Sequence, residues 1–124
     1  MKTILIVDDE PSIQEIISTY ISTYTDYKAI VAEDGEAAID LVRENTPDLI
    51  LIDLLLPRIG GIALYKDLRN FDKTKDTPVI FISGAFKDEV FQKEGIEMGA
   101  VDYITKPIDM KYLIDKIKSV LGEG

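Results

Sequence analysis

The residues best suited to chemistry in this sequence are aspartates that follow short apolar runs. Asp8 and Asp9 come directly after the run of residues 4–7, and Asp53 follows the run of residues 49–52. A buried carboxylate without a partner is costly, and neighbouring carboxylates repel each other. The grouping therefore predicts a cation close to these acids.

A hydroxyl group and an ammonium group also follow short apolar runs directly. Ser83 follows the apolar run of residues 79–82, and Lys106 follows that of residues 101–105. Carboxylate ligands without histidine suit Mg²⁺ or Mn²⁺ rather than Zn²⁺. A lysine and a hydroxyl that reach the same oxygens would complete a clamp for a phosphoryl group, which a carboxylate can accept as an aspartyl phosphate.

The elements that must position these residues alternate along the chain. Short apolar runs indicate five strands, and apolar residues at spacings of three and four indicate five helices. Asp34 and Asp109 are expected to be helix N-caps. This alternation predicts an α/β fold whose parallel sheet is covered on both faces. The predicted strands are 4–7, 29–32, 49–52, 79–82 and 101–105, and the helical patterns cover 13–24, 37–42, 62–68, 90–98 and 110–121.

Parallel sheets of this kind bind ligands beyond the carboxyl ends of their strands, where the strand order reverses. If the order is 2-1-3-4-5, the first and third strands are neighbours. Asp8, Asp9 and Asp53 would then share one pocket, with Ser83 and Lys106 on its far side.

Composition excludes several functional classes. The 124 residues fit one domain, and the 46% hydrophobic content is enough for a core. The formal net charge of -9, without a basic run, argues against direct nucleic-acid binding. The absence of cysteine and histidine excludes disulfides, zinc–thiolate sites and Ser–His or Cys–His nucleophiles. The apolar run after Lys2 is too short for a signal peptide or a membrane span, so a soluble, cytoplasmic protein is expected.

Four motifs in order give the sequence a specific family resemblance. It resembles the receiver domain of two-component response regulators over essentially its whole length. Within this family, it resembles the single-domain chemotaxis regulators. The resemblance implies a flavodoxin-like (βα)5 three-layer sandwich with sheet order 2-1-3-4-5, forming one receiver domain over residues 1–124 without an output domain. The motifs are Ile-Leu-Ile-Val-Asp-Asp-Glu (4–10), Asp-Leu-Ile-Leu-Ile-Asp-Leu-Leu-Leu-Pro (48–57), Val-Ile-Phe-Ile-Ser-Gly (79–84) and Gly-Ala-Val-Asp-Tyr-Ile-Thr-Lys-Pro (99–107).

The resemblance also implies the phosphoacceptor and its metal ligands. Asp53 would accept the phosphoryl group. Asp9 would ligate Mg²⁺ directly, Asp8 directly or through water, and Asp53 and the backbone carbonyl of Leu55 would complete the protein ligands.

The same resemblance implies a switch. Lys106 would contact the phosphoryl group, and the Lys106–Pro107 bond would be cis. Ser83 would move to bond a phosphoryl oxygen, and Tyr103 would turn inward behind it. This change would alter the surface formed by helix 4, strand 5 and helix 5.

The implied function is that of a signalling switch, which catalyses only its own phosphorylation and dephosphorylation. Because the chain has no histidine, the donor would be a histidine kinase, a histidine phosphotransfer protein or a small acyl phosphate. A downstream target protein and either a monomer or a phosphorylation-dependent dimer are implied. The chain would be a stand-alone regulator, a relay intermediate or the receiver of a larger protein.

The sequence departs from the family pattern at a few positions. Gly60-Gly61 stands where the family often has Asp-Gly, and a looser loop is expected there. Leu55 and Ala85 occupy positions that tune hydrolysis in the family, and neither carries a polar group to orient a water molecule. Slow loss of the phosphoryl group is therefore predicted.

Other interpretations of the sequence are less favoured. A flavin-binding electron carrier would need a phosphate-binding loop after the first strand, where this chain has acids. An Asp-nucleophile phosphatase would carry an Asp-x-Asp motif at its nucleophile, and this motif is absent here. A pseudo-receiver would lack site residues that this chain has.

Some residues have a second interpretation as well. Tyr103 could serve packing alone, and Phe86 and Phe91 fit either a partner surface or the core. Ile13 fits the apolar stripe of the first helix better than a partner contact.

Overall fold

The chain folds as five β-strands and five α-helices in strict alternation. A computed structural model describes residues 1–84 and 89–122, without the side chains of residues 89–92. Ala85, Phe86 and the side chain of Phe91 therefore lie outside the described residues. The elements are β1 (Thr3–Val7), α1 (Pro11–Tyr24), β2 (Lys28–Ala32), α2 (Gly35–Glu44), β3 (Leu49–Asp53), α3 (Gly60–Arg69), β4 (Val79–Gly84), α4 (Glu89–Glu97), β5 (Asp102–Lys106) and α5 (Met110–Val120).

The sheet is parallel throughout and has the order β2-β1-β3-β4-β5. This confirms the flavodoxin-like arrangement that the resemblance implies. The chain leaves β1 in one direction to form β2 and returns to the other side of β1 to form β3. The strand order therefore reverses between β1 and β3, and a crevice opens at their carboxyl ends.

Alternate residues of the strands face two separate apolar cores, as burial of both faces of the sheet requires. One core joins the sheet to α2 and α3, and the other joins it to α1 and α5. Ile13 packs at the edge of the second core, as expected for the apolar stripe of α1. No helix within the described ranges is both long and apolar enough to cross a lipid bilayer.

Two aspartates cap helices as predicted. The side chain of Asp34 accepts a hydrogen bond from the backbone N–H of Ala37, and that of Asp109 accepts one from Tyr112. The bond from Ala37, together with the nearby Arg58 guanidinium, lowers the pKa of Asp34 below its ordinary value. These caps fix where α2 and α5 begin, next to the strand ends that carry the site.

Element boundaries differ from the sequence prediction by only a few residues. The strand β5 begins and ends one residue later than predicted, so Lys106 is its last residue. The helix α3 begins at Gly60, two residues before the periodic apolar pattern. Gly60 has φ +68°, a left-handed conformation that glycine adopts without strain.

Candidate functional site

The carboxyl ends of three strands bring an ammonium group and buried carboxylates together. Asp8 directly follows β1, Asp53 ends β3 and Lys106 ends β5. Because β1 and β3 pair with Val7 beside Ile52, the next residues along the two strands are also neighbours. Asp8 is fully buried and Asp53 is 3% exposed. The structure thus brings together acids that the sequence places 45 positions apart.

The Lys106 ammonium lies among three carboxylates. Its Nζ is 2.7 Å from Oε1 of Glu10 and 3.3 Å from Oδ2 of Asp53, and it donates a hydrogen bond to each. Oδ2 of Asp8 lies 3.4 Å away, as an ion pair without hydrogen-bond geometry. Only 17% of the Lys106 side chain is exposed. The lysine therefore lies inside the acidic pocket.

The pocket holds more negative than positive charge. Burial raises the pKa of Asp8 to about 6, the Asp53 charge adds to the rise, and the Glu10 backbone N–H and Lys106 oppose it. Burial alone would lower the pKa of Lys106, but the carboxylates of Glu10, Asp53 and Asp8 outweigh it and raise that pKa above its usual range. One lysine therefore does not compensate the negative charge that the strand ends bring together.

The pocket fits a hard divalent cation. Carboxylate oxygens of Asp8, Asp9, Glu10 and Asp53 all lie within 4.8 Å of one another. Oδ1 of Asp8 accepts a hydrogen bond from the Glu10 backbone N–H at 2.8 Å, whereas the buried Oδ2 accepts none from the described residues. A buried carboxylate oxygen without a donor is the kind of ligand that Mg²⁺ takes, and an all-oxygen donor set favours that ion.

The start of α3 lies against the backbone of Asp53. Oδ1 of Asp53 accepts a hydrogen bond from the Leu55 backbone N–H at 3.0 Å, which leaves Oδ2 facing Lys106. A Cβ atom at Gly61 would lie 2.5 Å from the Asp53 carbonyl oxygen and 2.8 Å from the Cα atom of Leu54. Only glycine at this position allows α3 to pack so closely beside Asp53.

The residues predicted for the switch occupy the two strands on the far side of the pocket. Ser83 is fully buried in β4 and pairs with Thr105, the residue before Lys106. Tyr103, which lies two residues before Thr105 in β5, is 39% exposed. The Lys106–Pro107 peptide bond is cis.

Glu10 is the site residue that sequence analysis did not single out. Its carboxylate makes the shortest of the three contacts to Lys106. The available signal was its place as the third acid in a row after the first strand. Nothing in the sequence alone shows that this third acid turns back towards a lysine 96 residues away.

Comparisons with known proteins agree with the fold. A family model of the response regulator receiver domain matches residues 4–118. The chain therefore belongs to the response regulator receiver domain family, and it is a signalling domain rather than a classical enzyme.

Relatives and solved structures of this family resemble the chain over nearly its whole length. The phosphate regulon transcriptional regulatory protein PhoB of Pseudomonas aeruginosa is 40% identical over 97% of this chain and 52% of its own length. The chain thus spans about half the length of the curated relatives that it matches. The receiver domain of the Francisella response regulator 1452 is 33% identical, with a TM-score of 0.84 over 97% of this chain and 96% of that one. The chemotaxis protein CheY4 of Vibrio cholerae is 26% identical, with a TM-score of 0.87 over 97% and 98%.

Proposed function

We propose that this chain is a phosphoacceptor switch in which Asp53 receives a phosphoryl group in a Mg²⁺-dependent reaction. The observation that supports this most directly is the position of Lys106, whose ammonium contacts Oδ2 of Asp53 within the cluster of acidic side chains. An ammonium held next to a nucleophilic carboxylate is placed to neutralise the oxygens of an incoming phosphoryl group.

In the proposed transfer, a carboxylate oxygen of Asp53 attacks phosphorus and the bond from phosphorus to the donor breaks. With phosphohistidine, the P–N electron pair leaves with the imidazole nitrogen; with acetyl phosphate, the P–O pair leaves with acetate. Lys106 neutralises charge on the phosphoryl oxygens. A divalent cation held by Asp8, Asp9, Asp53 and the Leu55 carbonyl would supply further neutralisation, and Mn²⁺ has the same ligand preference.

Ser83 and Tyr103 are proposed to carry the signal away from Asp53. Ser83 lies in the strand next to β3, and its partner in the sheet is adjacent to Lys106. A hydroxyl at this place could reach a phosphoryl oxygen after a small movement, and space behind it would then admit the half-exposed Tyr103 ring. The surface of α4, β5 and α5 would change as a result.

The donor and the target of this switch are also proposals. We infer that a histidine kinase or a histidine phosphotransfer protein supplies the phosphoryl group, because the chain itself contains no histidine. A downstream protein would recognise the altered surface, with the chain acting alone, as a relay intermediate or within a longer regulator.

Intact-mass measurement after incubation with acetyl phosphate and Mg²⁺ tests the proposal. We expect a gain of one phosphoryl group, which is absent in Asp53→Asn and in a sample treated with a chelator. Absence of labelling under conditions that label another receiver domain would contradict the proposed function.

A further inference from the structure

The ammonium of Lys106 is surrounded by acceptors before any phosphoryl group arrives. A lysine ammonium has three N–H donors, and carboxylate oxygens of three residues lie within 3.4 Å of this one. The nearest is not the phosphoacceptor Asp53 but Glu10, at 2.7 Å. Two of these N–H groups already donate to Glu10 and Asp53, so a phosphoryl oxygen that binds Lys106 competes with carboxylates that hold the ammonium in place.

The three partners differ in how readily they can leave. Asp8 and Asp53 are buried at the ends of strands, and each has one oxygen fixed by a backbone N–H. The Glu10 side chain is 52% exposed. It also makes no capping hydrogen bond to α1, although Glu10 is the N-cap residue of that helix. Glu10 can thus swing into solvent without breaking any contact described for its side chain except the one to Lys106.

We propose that Glu10 is a positioning residue that holds the Lys106 ammonium in the acidic pocket and competes for it with an incoming phosphoryl oxygen. The inference rests on the proposed function, because it concerns a competition for the lysine that serves Asp53. Its consequence is that Glu10 slows phosphorylation and weakens the binding of phosphoryl mimics, while it keeps Lys106 paired in the unphosphorylated protein.

The variant that tests this is Glu10→Gln, which removes the negative charge but keeps the length of the side chain. Glu33→Gln is the matched control. Glu33 is an exposed acid directly after β2, at the same edge of the sheet, and no contact to Lys106 is described for it. Both variants remove one negative charge near the site, so a general decrease in repulsion of an anionic donor affects both.

The first readout is the rate of phosphorylation by acetyl phosphate in Mg²⁺, followed by intact mass. Because the Glu10 side chain is 52% exposed, solvent screens its ion pair with Lys106, and Glu10→Gln should react only roughly two- to fivefold faster than the wild type after correction for Glu33→Gln. Equal rates in the two variants would overturn the inference.

The second readout does not involve phosphoryl transfer. Isothermal titration calorimetry with beryllofluoride and Mg²⁺ should give a dissociation constant roughly two- to fivefold lower for Glu10→Gln than for Glu33→Gln, for the same reason. A titration with Mg²⁺ alone should give similar affinities for both variants. A tenfold loss of Mg²⁺ affinity confined to Glu10→Gln would identify Glu10 as a cation ligand and overturn the inference.

Failure of the inference can be told apart from failure of the proposed function. If the wild-type protein neither gains a phosphoryl group nor binds beryllofluoride, the proposed function fails, and the inference with it. If the wild type does both and Glu10→Gln behaves like Glu33→Gln, only the role of Glu10 is refuted.

Discussion

At the scale of single residues, Asp8 carries the main energetic cost of the acidic pocket. Its side chain is fully buried, and one of its oxygens accepts no hydrogen bond from the described residues. Burial and the neighbouring Asp53 raise its pKa from 3.8 to about 6. At neutral pH the metal-free protein therefore holds a carboxylate that would be more stable in the unfolded chain.

This cost predicts that Asp8→Asn stabilises the metal-free protein. Because the folded-state pKa is raised, the contribution of Asp8 to stability is fully present below pH 3.8 and is lost as the pH rises through about 6. At pH 8 the variant should gain up to about 3 kcal/mol in the free energy of unfolding, measured by urea denaturation with a chelator present.

The exposed neighbour Asp9 provides the control for this comparison. Asp9→Asn should change the free energy of unfolding by less than about 0.5 kcal/mol, as surface substitutions generally do. At pH 4 the advantage of Asp8→Asn should largely disappear. An equal advantage at pH 4 and pH 8 would show that ionisation of Asp8 is not its cause.

Leu55 leads to a prediction about the lifetime of the phosphorylated state. Its side chain is 57% exposed next to Asp53 and carries no group that could orient an attacking water molecule. We expect slow dephosphorylation, with a half-life longer than about a minute in Mg²⁺ buffer. Leu55→Asn should shorten it a few fold, on the order of the 1 kcal/mol that one hydrogen bond contributes. A wild-type half-life of seconds would count against this view.

At the scale of elements, the packing of α3 against β3 fixes the position of Asp53, the proposed nucleophile. The glycine pair at residues 60–61 predicts a looser loop before this helix. In the structure, Gly61 instead allows α3 to begin in contact with the backbone of Asp53 and Leu54. The backbone N–H of Gly61 also donates to the Leu54 carbonyl oxygen at 3.0 Å.

Gly61→Ala should therefore damage both stability and chemistry. The added methyl group would displace the Asp53 backbone, at a cost of about 1–3 kcal/mol in unfolding free energy. Phosphorylation of the folded fraction should slow as well. Ala63→Gly, at an exposed position of the same helix, should cost about 1 kcal/mol through helix propensity alone and leave the phosphorylation rate unchanged. Equal phosphorylation rates in both variants would refute a role for Gly61 at the site.

Much of this element-scale structure could be predicted from the sequence. The apolar runs and helical spacings located every strand and helix to within a few residues, because burial of both sheet faces leaves a clear pattern. Contacts made by side chains across the fold could not be predicted in this way. Gly95 is a poor helix former inside α4, yet the structure places it against the Phe81 ring, where a Cβ atom would lie 2.6 Å from a ring carbon.

The loop between α3 and β4 also makes contacts that could not be predicted from the sequence. Its composition, rich in lysine and aspartate, is typical of a solvated connection, and the lysine and aspartate side chains of residues 72–76 are exposed. The buried residues Thr74 and Thr77 also tie the loop to α3, because Arg69 donates hydrogen bonds to their carbonyl oxygens. The partners of one arginine depend on how the chain folds back, and local sequence does not encode that directly.

At the scale of the whole molecule, the proposed cation site would couple cation binding to stability. A ligand that binds only the folded state stabilises it by mass action. The proposed ligands converge from the ends of β1 and β3, which belong to the centre of the sheet. Cation binding should therefore stabilise the global fold and not only a local loop.

We predict that Mg²⁺ raises the melting temperature of the wild-type protein. At a Mg²⁺ concentration tenfold above the dissociation constant, the gain in unfolding free energy is about 1.4 kcal/mol, which corresponds to several degrees for a domain of this size. Chelation should reverse the shift, and Asp8→Asn should abolish most of it. A shift that persists in this variant would place the cation elsewhere.

The assignment of Asp53 as the phosphoacceptor can be tested by locating the phosphorylated residue. After reaction with acetyl phosphate and Mg²⁺, borohydride reduces an aspartyl phosphate to homoserine, and peptide mass spectrometry locates the product. We predict homoserine at position 53 in the wild type and none in a Mg²⁺-free sample. Homoserine at position 8 or 9, or modification that persists in Asp53→Asn, would contradict the assignment of Asp53 as the phosphoacceptor.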